Sequence, residues 1–297
     1  MTQILVVGDS NTIVFDDLLF EHPTFFAQPF VTRGVFCPGL MAANFTEPSG
    51  ELNSGVLDSL FRSLLLTGNA VAWHARHVPL AQLRPTAERA ELAAMWPRFK
   101  TPANDHLESR PIVIMLGTLD LEAILRTLPA GCDFALQDDR YALPAFAEKP
   151  VGPYVPAQLV NDLVAERLKP LAHGLALLRD RGFENVYLHS LHPPPLEDYK
   201  YVKIRTANNQ ASLRYKVALA INAQFRALCE REGIGFLDMW GATTRDGALD
   251  PRFEFDGDHL NKEAAYLTVC RLLADLAKRA FPKQLDLSDL AREQRST

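Results

Sequence analysis

With 297 residues, 47% of them hydrophobic and 23% charged, the chain can bury a sizeable core and has the composition of a soluble globular protein, in one large domain or two small ones. Its formal net charge of -5, with Lys and Arg spread along the chain, argues against nucleic acid or an anionic membrane as a partner. No apolar run approaches the roughly 18 residues of a membrane span, and Met1 leads straight into the first apolar run without a leader-like segment, so a cytoplasmic location is expected.

Residues 3–7 read as a first strand whose run 4–7 is continuously apolar, the pattern of a parallel strand buried on both faces. The run stops at Gly8-Asp9-Ser10-Asn11 before hydrophobicity resumes at Ile13 and Val14. Further strands of this kind are predicted at 30–36, 70–74, 112–116, 186–190 and 235–238, each separated by enough chain for a crossover helix. Helices are clearest at 157–179, 212–232 and 262–281, where apolar residues recur three and four apart. This alternation predicts a single α/β layered domain over residues 1–283 with a mostly parallel sheet. Three stretches break the rhythm: 38–57 with its glycines and Pro48, 129–156 with its prolines and aromatics, and 191–209 with Pro193-Pro194-Pro195. They read as long loops, either rims of a site or structural excursions. Residues 284–297 read as a polar C-terminal tail.

Most other polar residues carry a bland reading. Cys37, Cys132, Cys229 and Cys270 lie far apart without a ligand pattern and are expected as buried thiols. His74 and His77 lack nearby carboxylates or cysteines, so ordinary surface or core histidines are expected rather than a metal pair. Asp16 with Asp17 and Asp138 with Asp139 are read as solvated surface, because sequence neighbours do not converge on one bond. His189 and His192 flank a strand end and are candidates for the rim of a crevice. No glycine-rich phosphate loop occurs, and neither cofactor nor metal is expected.

Two motifs carry chemistry. Gly8-Asp9-Ser10 closes the first strand where open α/β sheets place their ligand crevice. Ser10, opening the helix that follows, would aim its hydroxyl at a substrate while backbone N–H groups face developing negative charge. Alternatively, Asp9, Ser10 or Asn11 simply caps that helix. Near the other end, Asp256 and His259 stand three apart in Phe255-Asp256-Gly257-Asp258-His259-Leu260-Asn261, before the last helix. The carboxylate can fold back on one imidazole nitrogen and leave the other facing the crevice, as a general base serving a serine requires. Alone, the same spacing makes a turn and a cap; joined to a serine after the first strand, it reads as a catalytic pair.

Gly8-Asp9-Ser10, Gly117-Thr118-Leu119-Asp120 and Asp256-Gly257-Asp258-His259-Leu260-Asn261 occur in this order across nearly the whole chain, which thereby resembles the SGNH (GDSL-type) hydrolases. Residues 112–121 (IVIMLGTLDL) and 190–196 (SLHPPPL) are most similar to the bacterial arylesterase and acyltransferase branch. The resemblance implies a three-layer α/β/α sandwich with a flavodoxin-like sheet. It also implies Ser10 as nucleophile, His259 as base and Asp256 as its orienting partner. The implied oxyanion donors are the Ser10 N–H, a glycine after the second strand (Gly39, with Gly34 as rival) and the asparagine of a Gly-x-Asn-Asp motif. Here the chain departs, because Gly117 and Asp120 are present but position 119 is leucine. Loss of one donor typically costs about 100-fold to 1000-fold in turnover, on the order of 3 kcal/mol. Asn11 is a candidate to supply the missing amide from another direction, with helix capping as its alternative. The implied function is a serine esterase or acyl hydrolase that works through an acyl-enzyme on a small ester, an O-acyl sugar or another acylated metabolite. The same triad would serve an O-acyltransferase, and Leu119 motivates a third reading as a non-catalytic ligand-binding protein.

Overall fold

The computed structural model of the chain describes residues 2–16, 18–20, 30–65, 111–136, 152–195, 210–256 and 259–280. In the first strand, β1 (Thr2–Gly8), successive side chains part to opposite faces: Leu5 and Val7 enter one core, Ile4 and Val6 the other. The same division recurs in β4 (Ile112–Met115), where Ile112 and Ile114 face the first core and Val113 and Met115 the second. Burial on both faces explains why these strands read as unbroken apolar runs.

Four further strands join them, β2 (Leu19–Phe20), β3 (Phe30–Phe36), β5 (Val186–His189) and β6 (Gly235–Leu237), apart from a small antiparallel pair at Thr244–Arg245 and Ala248–Leu249. They form one sheet in the order β2-β3-β1-β4-β5-β6. All neighbouring pairs are parallel except β2 with β3. The five parallel strands thus follow the flavodoxin-like order, which reverses direction at β1. The antiparallel β2, only two residues long, falls below what a periodicity can signal.

One face carries α1 (Ser54–Leu65), α2 (Thr118–Thr127), α3 (Ala157–Asp180) and α4 (Ala211–Glu232). They bury Val56, Ile124, Leu171 and Ile221 among others against the sheet. After the short α5 (Trp240–Thr243), α6 (Lys262–Ala280) covers the other face with Ala264, Ala265, Val269 and Leu272. Each fully buried aliphatic side chain contributes about 1.5–3 kcal/mol. The result is the three-layer α/β/α sandwich.

Elements predicted at 30–36, 112–116, 157–179, 186–190, 212–232, 235–238 and 262–281 appear within two residues of the expected bounds. Three corrections follow. The helix after Gly8 is a six-residue 3-10 turn, Ser10–Phe15, too short for a developed helix dipole. Residues 54–57, placed in the first long loop, form the opening turn of α1. Within that loop, Ala42–Asn44 make a 3-10 turn. The strand expected at 70–74 and the tail at 284–297 lie outside the described residues, as do most of the loops at 129–156 and 191–209. None of the described helices is long and apolar enough to cross a membrane.

Candidate active site

The glycine that ends β1 is demanded by its neighbour. A Cβ on Gly8 would stand 1.5 Å from the Met115 carbonyl oxygen, so no other residue fits there without moving β4. The Asp9 N–H donates to that same oxygen at 2.9 Å, and the Cys37 N–H donates to the Gly8 carbonyl at 2.7 Å. The chain leaving β1 is therefore held between the exits of β3 and β4, at the switch point of the sheet. Asp9, 4% exposed, then caps the 3-10 turn: its carboxylate accepts the Asn11 N–H at 3.0 Å. With the cap supplied by Asp9, the Ser10 hydroxyl is left for other work. Gly34 remains inside β3 opposite Val6, where a Cβ would lie 2.0 Å from the Thr12 carbonyl. Its smallness lets the Ser10 turn lie on β3, and Gly34 stands within the strand whereas Gly39 follows it.

The second motif closes on the first. His259 Nε2 lies 2.7 Å from Ser10 Oγ, and its Nδ1 lies 2.9 Å from both Asp256 oxygens. Asp256 Oδ1 also accepts the His259 backbone N–H at 3.0 Å, so one carboxylate fixes both the ring and the chain that carries it. A proton on Nδ1 facing this carboxylate leaves the Nε2 lone pair to accept the Ser10 hydroxyl proton. The turn is closed by the Phe255 N–H donating to the His259 carbonyl at 2.8 Å and the Asn261 N–H to the Phe253 carbonyl at 2.9 Å. Asn261 Oδ1 then caps α6, accepting the Glu263 N–H at 3.0 Å and the Ala264 N–H at 3.2 Å. The buried Leu260 side chain anchors the turn in the second core. Solvent reaches the pair: the side chains of His259 and Asp256 are 18% and 39% exposed. Gly257 and Asp258 lie outside the described residues.

Two of the predicted oxyanion groups, the backbone N–H groups of Ser10 and Gly39, are without a partner among the described residues. Gly39 is exposed with φ +73, a left-handed conformation that suits glycine. Its loop is braced from behind. The Asn44 side chain donates to the Gly39 carbonyl at 2.9 Å, and the Ala42 and Ala43 N–H groups donate to Asp120 at 2.7 and 3.4 Å. Asp120 also accepts from Arg167 Nε at 3.2 Å.

The other predicted binding residues have different tasks. Asp120 is fully buried with both oxygens engaged by protein donors, which corrects its reading as a substrate-binding group. Burial raises its pKa, against the lowering effect of the Ala42 amide and Arg167. Gly117 has φ +119 and caps α2; a Cβ there would crowd Leu191 and Phe225, so its contribution is the turn itself. Asn11 is buried with its N–H on Asp9 and its side-chain oxygen accepting the Leu260 N–H at 2.9 Å. Arg167 was missed by the sequence reading, since an arginine on an amphipathic helix carries no signal of a buried partner on another element.

His189 and His192 are buried, so neither stands on an exposed rim. His189 contacts the Ser190 carbonyl through Nδ1 and Thr268 Oγ1 through Nε2. Burial first of all lowers its pKa from 6.5 to about 4. Folded His189 therefore stays neutral where the unfolded chain takes up a proton. The associated stability is full above pH 6.5 and lost as pH falls to about 4, roughly 3 kcal/mol in all. Denaturant titrations at pH 7 and pH 4.5 should thus show a drop about 2 kcal/mol smaller in His189→Gln than in the parent protein. Equal drops would reject this account. Cys37, Cys132 and Cys229 are buried as expected, but Cys270 is exposed. His74, His77, Asp17, Asp138 and Asp139 lie outside the described residues. A cavity of about 460 Å³ opens beside the end of β6, lined by Phe134, Leu219 and Trp240 among others; none of the predicted site residues borders it.

No family model matches the chain, and neither does any curated protein. Among solved structures, it is similar to a GDSL-like lipase from Bacteroides thetaiotaomicron at 13% identity and a TM-score of 0.41, covering 94% of this chain and 89% of that one. It is likewise similar to a lipase/acylhydrolase from Enterococcus faecalis at 13% identity and a TM-score of 0.41, covering 94% and 97%. An aryl esterase from M. smegmatis is similar at 15% identity and a TM-score of 0.38, covering 94% and 98%.

Proposed function

We propose that the chain is a serine ester hydrolase of the SGNH type that works through an acyl-enzyme on small esters, O-acylated sugars or other acylated metabolites among them. The observation that carries this reading is the unbroken line from Asp256 through His259 to Ser10, with contacts of 2.9 and 2.7 Å. In the first half-reaction, Ser10 Oγ attacks the ester carbonyl carbon while its proton passes to His259 Nε2. The carbonyl oxygen becomes an oxyanion facing the N–H groups of Ser10 and Gly39. The imidazolium, held by Asp256, returns the proton to the leaving alcohol as the C–O bond breaks. In the second, His259 takes a proton from water, hydroxide adds to the acyl carbon, and the Ser10 oxygen leaves with the proton restored.

Water is the favoured acceptor because solvent reaches His259 and Asp256 at 18% and 39% exposure; acyl transfer to an alcohol requires water to be kept out. Leu119, where the resemblance expects an amide, leaves two backbone donors for the oxyanion, so turnover should sit about 100-fold to 1000-fold below that of a site with all three.

The test is intact-mass spectrometry of the protein after incubation with a small fluorophosphonate, followed by peptide mapping. One adduct on Ser10 is expected, since only an activated serine displaces fluoride from phosphorus. No adduct, together with no turnover of p-nitrophenyl or sugar acetates, would sink the hydrolase and leave the ligand-binding reading.

A further inference from the structure

We propose that Asn11 is a positioning residue, whose side-chain oxygen holds the base turn in register with the nucleophile turn by accepting the Leu260 N–H. Asn11 follows Ser10 directly and Leu260 follows His259 directly. The Asn11–Leu260 hydrogen bond, 2.9 Å long, therefore runs alongside the Ser10–His259 contact across the same 249 positions. It is sheltered where that contact is partly open: Asn11 is 2% exposed and Leu260 0%, whereas the His259 side chain is 18% exposed. The hydrogen bonds that close the base turn, from Phe255 to His259 and from Asn261 to Phe253, tie it to itself rather than to the end of β1. Asn11 adds the link between the two turns. Capping does not explain its side chain, because Asp9 supplies the cap.

A donor role, in which Asn11 Nδ2 donates to the oxyanion, would use the other end of the same amide, and substitution separates the two. The clamp needs an acceptor oxygen; the oxyanion needs an N–H. Asn11→Asp keeps the first and removes the second, while Asn11→Ala removes both. A misplacement of about 1 Å between reacting groups costs on the order of 100-fold. Asn11→Ala should accordingly lower kcat by about 30-fold to 100-fold with KM changed less than about threefold. Asn11→Asp should recover kcat to within about fivefold of the parent on the alkaline plateau. Its acid limb should move to higher pH, because the added carboxylate favours the His259 imidazolium. An Asn11→Asp enzyme as slow as Asn11→Ala at every pH would overturn the clamp in favour of the oxyanion donor. An Asn11→Ala enzyme within twofold of the parent would overturn it outright.

The kinetic arm rests on the hydrolase reading, so a second readout is independent of it. Exchange of the Leu260 amide, followed by NMR, should be slow in the parent and in Asn11→Asp and fast in Asn11→Ala. Equal rates in the parent and Asn11→Ala overturn the clamp whatever the activity. If Ser10 takes no fluorophosphonate but Leu260 loses protection, the hydrolase falls and the clamp stands. If Asn11→Ala fails to fold, Asn11→Asp decides: protection retained supports the clamp, and protection lost overturns it.

Discussion

Ser10→Ala is expected to reduce kcat for ester hydrolysis by about 10⁴-fold to 10⁶-fold and to abolish the fluorophosphonate adduct. The change removes the oxygen that lies 2.7 Å from His259 Nε2 and leaves the Asp256–His259 contact unaltered. The base then has no hydroxyl to deprotonate, and what survives is binding together with two backbone donors. Such remnants still exceed reaction in water by about 10³-fold to 10⁴-fold in triads of this type, which sets the floor. The fold should not suffer, because Ser10 is half-buried and the hydroxyl caps nothing; that role belongs to Asp9. Thermal unfolding within a few degrees of the parent is the control. A variant retaining more than a tenth of the parent's kcat would show that another group is the nucleophile.

Asp256→Asn should cost about 10³-fold to 10⁴-fold in kcat, and the reason is the direction of one proton. In the parent, the carboxylate only accepts, taking the His259 backbone N–H at 3.0 Å and facing ring Nδ1 at 2.9 Å. An asparagine in its place satisfies the backbone N–H with its oxygen and turns its NH2 toward Nδ1. The ring then carries its proton on Nε2, which faces Ser10 as a donor and cannot remove the hydroxyl proton. Asp256→Ala should be milder, about 10²-fold to 10³-fold, because at 39% exposure water can enter and accept from Nδ1. The ordering is the discriminating result: kinetics of both variants, with ring nitrogen NMR shifts reporting the tautomer. An asparagine variant faster than the alanine variant would refute the account.

β4 was legible because a strand buried on both faces has no polar residues to interrupt it, and α3 because one buried stripe imposes its spacing on the sequence. β2 was not, since two residues hold no period. Ser10, Asp256 and His259 stood out as candidates because a Gly-Asp-Ser after a strand and an Asp-x-x-His before a helix are local patterns. The partners of Asp120, Asn11 and His189 were not legible for a common reason: no local spacing predicts them. Asp120 meets Ala42 across 78 positions, Asn11 meets Leu260 across 249, and His189 meets Thr268 across 79.

The sequence by itself thus determined the kinds of element, their order, and the candidates Ser10, His259 and Asp256. Tertiary structure alone decided which of these groups meet and which neighbours serve them. Periodicity and turn chemistry act over a few residues, whereas the 2.7 Å between Ser10 and His259 depends on the end of β1 and the turn before α6 being packed together. The same packing turned Asp120 into a brace and Asn11 into a link, because a buried polar side chain must find its partner wherever the fold puts one.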